Sequence, residues 1–254
     1  EATRRLRAAE QRFNEGQEHP LRILQNIQTN ATLIDQKWCD CLGRNQISIG
    51  VSLDGPAFLH DAHRHTRTGL GTHAATMRGI AQLQRNAIPF SVIAVLTEDS
   101  LAHAEAIFTF FLENGISEVG FNMEEKEGSN RRSSLDGNGS EQRYRAFLER
   151  FWELTAASGG ALRLREFEVT CGLAYSEARL ERTDLNHPFV IVNVDHRGNF
   201  STFDPELLAV ATAEYGDFVL GNVRDDSLES VCTSEKFQRI QQDRSAGLAL
   251  SRRS

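Results

Sequence analysis

The segment ISIGVSLDGPAFLHD, residues 47–61, points to the fold because its apolar first half ends abruptly in polar residues. ISIGVSLD is predicted to form a buried strand, and SLDGP ends it before a charged stretch rich in histidine. Ser52 and Asp54 therefore stand at the tip of an apolar strand. In parallel α/β sheets and barrels the ligand site lies at the carboxyl ends of the strands, so this tip is a candidate site.

The neighbouring segments repeat one order, an extended apolar segment followed by a segment of helical period. The predicted strands are LRILQNIQT, ISIGVSLD, FSVIAVLTE and EVGFNMEE. The predicted helices between them are LIDQKWCDCLGRN, AATMRGIAQLQRNAI and SLAHAEAIFTFFLENGI, the last with Ser100 as its N-cap and Gly115 at its end. This alternation of four strands with helices predicts an α/β protein with a parallel sheet and right-handed crossovers.

The predicted strand ends share a polar chemistry. Their residues are Gln28, Thr29 and Asn30; Ser52 and Asp54; Thr97, Glu98 and Asp99; and Asn122, Glu124, Glu125 and Glu127. A single polar tip is equally well explained by a strand that simply stops there. Four polar tips together favour a polar cleft whose rim is acidic, and such a rim suits a substrate that brings positive charge.

Composition excludes several classes of protein. The chain has 254 residues, 40% of them hydrophobic, and a formal net charge of −7. This length and content allow a well-buried core, while the acidic balance argues against nucleic acid as a partner. No apolar run approaches the roughly 20 residues that span a bilayer, and the N-terminus lacks the apolar core of a signal peptide. We therefore expect a cytoplasmic protein without a membrane partner, whose four cysteines are reduced thiols.

Three stretches resemble radical S-adenosylmethionine enzymes of the sulfatase-maturase and peptide-maturase branch: QTNATLID, SIGVSLDGPAFLHDAHR and DHRGNFSTF followed by LGNVRDDSLESV. Members of that branch typically read QTNG-T-L-(I/L), then (I/V)SLDGP, HD and R. The resemblance covers nearly the whole chain. It implies a partial barrel of the radical SAM type over residues 1–161 and a smaller α+β domain of SPASM or twitch type over residues 162–254.

The resemblance also implies an activity. In this family S-adenosylmethionine is cleaved at a [4Fe–4S] cluster to a 5′-deoxyadenosyl radical, which abstracts hydrogen from a side chain of a ribosomally made precursor peptide. The segments GFNMEEKEG, LRLREFE and GNFSTFDPELL are similar to the cyclophane-forming maturases, which join an aromatic ring to a β-carbon.

The resemblance assigns roles to seven residues of this chain. The implied cofactor-binding residues are Gln28, Asn30, Ser52 and Arg64, of which Arg64 would face the methionine carboxylate. The candidates for substrate contact or proton acceptance are Asp54, Glu124 and Glu125.

The cysteines depart from the family pattern. The cluster needs three thiolates in a C-x3-C-x2-C loop, which this chain lacks, and the GGEP segment is absent too. Cys39 and Cys41 would project about 200° apart on a helix of 3.6 residues per turn. We expect a portion of a longer protein that lacks its N-terminal third and is inactive alone. The full-length protein should hold one cluster, with ligands outside this chain.

The C-terminal domain departs from the pattern as well. FVIVNVDHRGNFSTFDPELL predicts a β-hairpin with its turn at residues 195–198. Thr202, Phe203 and Asp204 stand where many members of the family place cluster cysteines. The domain is therefore expected to keep its shape without a metal, to cover the barrel mouth and to help hold a substrate.

Other functions remain as alternatives. One is oxidation of a cysteine or serine, as in the sulfatase maturases; another is a non-catalytic peptide-binding protein with a degenerate barrel. The histidines of HDAHRH, residues 60–65, are interpreted as a solvated loop or helix start, because no carboxylate or thiol stands at a recognised zinc spacing. The sequence has no local Ser-His-Asp arrangement that would support a hydrolase. It also has no lysine at a strand tip that would support a Schiff-base lyase.

Overall fold

A computed structural model describes residues 1–126, 131–137, 139–175 and 186–251. The chain divides into two compact units. The first comprises residues 1–124 and 133–176, and the second comprises residues 125–132 and 177–254.

The first unit is built on a five-stranded parallel sheet. Its strands follow chain order across the sheet, so each strand is hydrogen-bonded in parallel to the strand before it in the chain. A helical crossover connects the two strands of each pair. They are β1 (Asn26–Thr29), β2 (Ser48–Ser52), β3 (Phe90–Leu96), β4 (Glu118–Met123) and β5 (Arg163–Leu164). This arrangement confirms the predicted α/β class with a parallel sheet.

Seven α-helices belong to the described part of this unit. They are α1 (Ala2–Asn14), α2 (Gln36–Asn45), α3 (Ala57–His63), α4 (His73–Arg85), α5 (Ala104–Glu113), α6 (Ser140–Ala157) and α7 (Arg165–Tyr175). Two short 3₁₀ helices, Asp99–Ala102 and Ser134–Asp136, precede α5 and α6.

The two faces of the sheet differ because side chains alternate along each strand. One face carries buried apolar residues such as Val51, Val92 and Phe121, which join the core formed with the helices. Edge-to-face aromatic contacts extend this core, with Phe121 and Phe151 centroids 4.9 Å apart. The opposite face, called the open face below, carries the apolar Ile93 and Val95 of β3 and otherwise mostly small and polar residues at alternate positions: Gln28, Gly50, Ser52, Ser91, Gly120 and Asn122. The open face positions the candidate site.

Some predicted boundaries differ from the structure. The first strand begins at Asn26 rather than at Leu21, because Ile23 is held by Arg7 and Glu10 of α1 instead of by a neighbouring strand. The prediction of Ser100 as a helix N-cap was wrong. Ser100 lies inside a 3₁₀ helix, where its hydroxyl accepts a hydrogen bond from the Thr97 N–H (3.2 Å).

The second unit contains a three-stranded antiparallel sheet and a two-stranded ribbon. Its strands are β6 (Val192–Val194), β7 (Asn199–Thr202), β8 (Ala211–Thr212), β9 (Gly216–Asp217) and β10 (Gly221–Asn222). A 3₁₀ helix (Pro205–Ala209) follows β7, and α8 (Leu228–Cys232) and α9 (Glu235–Ser251) end the described chain. Phe200, Val231 and Phe237 form its small core.

The predicted hairpin is present as β6 and β7. Its turn is held by Asp195, whose carboxylate accepts hydrogen bonds from the N–H groups of Arg197 and Asn199, and Gly198 adopts a φ of +89°. β5 and α7 lie in the first unit, although the sequence assigned residues from 162 onward to the C-terminal domain. Pairing of β5 with β4 explains their place in this unit, and the functional division at residue 162 stays a prediction.

Candidate functional site

Gln28 and Ser52 meet at the carboxyl ends of the first two strands. Gln28 lies opposite Gly50 in the β1–β2 register, and its Nε2 donates to the Ser52 hydroxyl (3.1 Å). A side chain at position 50 would overlap the Gln28 carboxamide, so the glycine lets Gln28 lie flat on the open face. Because the Ser52 oxygen accepts from Gln28, its O–H remains able to donate to a ligand.

Asn30 shapes the loop that follows β1. Its Oδ1 accepts from the N–H (3.2 Å) and hydroxyl (2.9 Å) of Thr32, and its carbonyl accepts from the Thr76 hydroxyl of α4 (2.9 Å). Ala31 then adopts a φ of +57°. The side chain of Asn30 thus stabilises a turn, and its predicted role in cofactor binding stays a prediction.

Asp54 and Arg64 form an ion pair just beyond the tip of β2. Arg64 Nε and Nη2 donate to the two carboxylate oxygens of Asp54 at 2.5 and 2.9 Å. Asp54 is only 5% exposed, and one of its oxygens also accepts from the Val95 N–H of β3 (2.9 Å). The residue that the resemblance assigns to the methionine carboxylate therefore already faces a carboxylate of its own chain.

His60 lies fully buried beside this pair. Asp54 N–H donates to its Nδ1 (3.3 Å), so the proton of the neutral ring is on Nε2, which donates to the Thr72 hydroxyl (3.1 Å). That hydroxyl in turn donates to the Arg64 carbonyl (3.2 Å). One imidazole therefore links the backbones of both members of the ion pair.

Burial keeps His60 neutral. It lowers the pKa of the imidazole to about 4, outweighing the opposite effect of the Asp54 carboxylate. The interpretation of HDAHRH as a solvated segment was therefore wrong for His60, since spacing alone does not show which side of α3 faces the core. Asp61 accepts from the His73 N–H (2.8 Å) and so caps the first turn of α4.

The carboxylates beyond β3 and β4 have partners in the structure. Ser134 donates its N–H and its hydroxyl to one oxygen of Glu124, both at 2.6 Å. Although burial works in the other direction, these bonds keep the pKa of Glu124 below its usual value. The loop around SLDG, residues 134–137, thus contains a 3₁₀ helix that holds Glu124, a role that the sequence did not reveal.

Glu98 is paired with α6. Arg143 Nε lies 2.5 Å from one of its oxygens, and Ser140 donates to the other (3.0 Å). The bond from Arg143 lowers the pKa of Glu98. The predicted acidic rim is therefore partly neutralised. Glu125 is exposed after β4, and Glu127 lies outside the described residues.

The open face fits the two implied cofactors differently. Among the described residues, which include all four cysteines, no group of three His, Cys, Asp or Glu side chains could hold a metal ion. A [4Fe–4S] cluster therefore does not fit the described part of this chain. Gln28 and Ser52 do fit the hydroxyls and carboxylate of S-adenosylmethionine, because an amide and a free O–H are exposed side by side.

Known proteins resemble this chain in sequence and in fold. No family model matches the chain. It is 32% identical over 93 residues to the cysteine-type anaerobic sulfatase-maturating enzyme of Clostridium perfringens, covering 37% of this chain and 25% of that enzyme. It is 34% identical over 107 residues to the serine-type enzyme of Klebsiella aerogenes, covering 42% and 26%. The chain is homologous to anaerobic sulfatase-maturating enzymes.

A longer match is to an uncharacterized protein of Synechocystis sp., 58% identical over 223 residues. The alignment covers 88% of this chain but 56% of that protein, so the chain spans little more than half of that relative's length.

Solved structures share the fold. The enzyme anSMEcpe with bound AdoMet matches with a TM-score of 0.71 and 22% identity, covering 93% of this chain and 60% of that one. SuiB of Streptococcus suis bound to the precursor peptide SuiA matches with a TM-score of 0.61 and 15% identity, covering 86% and 50%. None of the helices in the described ranges is long and apolar enough to cross a membrane.

Proposed function

We propose that this chain is part of a radical S-adenosylmethionine enzyme that modifies a side chain of a precursor peptide. The observation that carries the proposal is the hydrogen-bonded pair Gln28–Ser52, which lies on the open face at the carboxyl ends of two adjacent parallel strands. Homology to sulfatase-maturating enzymes and the shared fold of AdoMet-binding and peptide-binding structures support it.

The residues of this chain would bind and orient the reactants. Bound S-adenosylmethionine would supply the hydrogen-abstracting radical. Gln28 would offer its carboxamide and Ser52 its free O–H to the cofactor. Arg64 would present a cation whose position is fixed by Asp54 and, through the backbone, by His60. Asp54 would then act by positioning Arg64, while Glu124 and Glu125 remain the proposed contacts or proton acceptors for the substrate.

Within this class, we propose that the product is a cyclophane, a carbon–carbon bond between an aromatic ring and the β-carbon of a nearby residue. The similarity of GFNMEEKEG and GNFSTFDPELL to cyclophane-forming maturases supports this assignment. The full-length enzyme should be co-expressed with the neighbouring small open reading frame and the peptide analysed by mass spectrometry. Loss of two hydrogen atoms per ring, localised by fragmentation to an aromatic residue and a close partner, is the expected result.

A second candidate is oxidation of a cysteine or serine, which the identity of 32–34% to cysteine-type and serine-type sulfatase-maturating enzymes favours. The same co-expression separates the two. A formylglycine at a single cysteine or serine would replace the cyclophane assignment and keep the enzyme class. A peptide recovered without any modification would favour a peptide-binding protein.

A further inference from the structure

A second polar cluster lies on the open face, two strands away from Gln28 and Ser52. Asn122 is exposed near the carboxyl end of β4, and Arg165 at the start of α7 reaches across that strand. One terminal nitrogen of Arg165, Nη2, donates to Asn122 Oδ1 (3.0 Å) and to the Phe121 carbonyl (3.3 Å). The two residues are 43 positions apart, so their contact was not visible in the sequence.

The position of Arg165 depends on a glycine. A Cβ at Gly120 would lie 2.7 Å from Cζ and 3.0 Å from Nε and Nη1 of Arg165, closer than side chains normally approach. Glu166 ties the guanidinium to the backbone of β4. Its Oε1 accepts a hydrogen bond from Arg165 Nε (2.8 Å), and its Oε2 accepts one from the Phe121 N–H (3.0 Å). The guanidinium is therefore held flat against β4.

This placement sets the orientation of the Asn122 amide. A guanidinium has donors and no acceptor, so the oxygen of Asn122 must face Arg165 and its NH₂ group must face away. No described residue takes a hydrogen bond from that NH₂ group. Asn122 thus presents two oriented donor hydrogens on the open face, and the matching ligand atom is an oxygen acceptor.

The surrounding charges favour a neutral acceptor. Glu166 lies 2.5 Å from Arg165 and offsets its charge, and the Glu124 carboxylate follows two residues after Asn122. A carboxylate ligand would meet this negative charge, whereas a peptide carbonyl would not. Beside Arg165, a cavity of about 240 Å³ continues along the sheet past Ser91, Ile93 and Arg163, and Asn122 lies outside its lining.

We propose that Asn122 binds a main-chain carbonyl oxygen of the peptide substrate and that Arg165, seated on Gly120, is the positioning residue that orients its amide. The proposal rests on the proposed function in taking a peptide as the ligand. It requires neither S-adenosylmethionine nor turnover, so binding can be tested on the chain itself.

The test is titration of the isotope-labelled chain with N-acetylglycine N′-methylamide, followed by NMR at the side-chain NH₂ of Asn122 and at nearby backbone amides. The wild-type signals should move and saturate. Asn122→Asp keeps the partner of Arg165 but replaces both donors by an acceptor, so affinity should fall about tenfold, the loss expected for one neutral hydrogen bond. Ser48→Asp, which adds the same charge at an exposed position of the open face, should bind like wild type.

Arg165→Gln tests the positioning role separately. It leaves Asn122 in place but removes the group that orients its amide, so the NH₂ signals should move toward those of a freely rotating, solvent-exposed asparagine and binding should weaken. Unchanged affinity in Asn122→Asp, no saturable shift in the wild type up to the solubility of the probe, or tighter binding of acetate than of the blocked peptide would each overturn the proposal. If the probe binds as expected but no peptide is ever modified, only the proposed function fails.

Discussion

The buried imidazole of His60 gives the chain a pH-dependent stability. Its pKa is about 4 in the folded chain, against about 6.5 in an unfolded one, because burial disfavours the charged ring. The unfolded chain therefore binds more protons between these values, and stability is complete above pH 6.5 and falls as the pH drops toward 4. From the pKa difference, we expect the free energy of unfolding to be about 2 kcal/mol lower at pH 5 than at pH 7.

Urea unfolding at both pH values measures this effect. His60→Gln should be less stable at pH 7 and should lose most of the difference between the two values. His19→Gln, at an exposed position, should retain the difference. An unchanged pH dependence in His60→Gln would show that another group is responsible; the half-buried His73, whose pKa burial also lowers, is the first to test.

Asp54 and Ser52 are two residues apart but should respond differently to mutation. Asp54→Asn leaves Arg64 without its carboxylate partner and weakens a buried contact to β3, so we expect a loss of about 1–3 kcal/mol in unfolding free energy. Ser52→Ala breaks a single half-exposed hydrogen bond and should change stability by under about 1 kcal/mol, and under the proposed function it should abolish product in the full-length enzyme. Thermal unfolding together with product yield distinguishes the two, and equal stability losses would contradict this assignment.

Helix α4 approaches the loop after β1 closely enough to require a glycine. A Cβ at Gly79 would overlap the Ala31 carbonyl, next to the point where Thr76 donates to Asn30. Gly79→Ala should therefore destabilise the chain by more than about 1 kcal/mol despite the better helix propensity of alanine. In α7, Gly172 has open space around its Cα, so Gly172→Ala should stabilise by up to about 1 kcal/mol. Denaturant midpoints of both variants test this, and stabilisation by Gly79→Ala would mean that the loop moves aside.

The elements themselves were largely predictable because they depend on local periodicity. Helix α2 and strand β3 lie within the segments assigned from apolar spacing, and the polar tips follow from where those spacings end. The partners of the tip residues were not predictable. Arg143 lies 45 residues after Glu98, and Ser134 joins Glu124 only because a 3₁₀ helix folds back toward it. Such pairs depend on how crossovers pack, which no local pattern encodes.

The four cysteines of the chain lead to a prediction about iron. All four are free thiols in the described chain, Cys39 is buried, and no three potential ligands converge on one point. A [4Fe–4S] cluster needs several thiolates together, so anaerobic reconstitution of this chain with iron and sulfide should leave no stoichiometric cluster after desalting. Iron analysis and visible absorption measure the result, with a reconstituted sulfatase-maturating enzyme as positive control. About four irons per chain, with the absorption of a cluster, would contradict the prediction and show that these thiols rearrange to bind one.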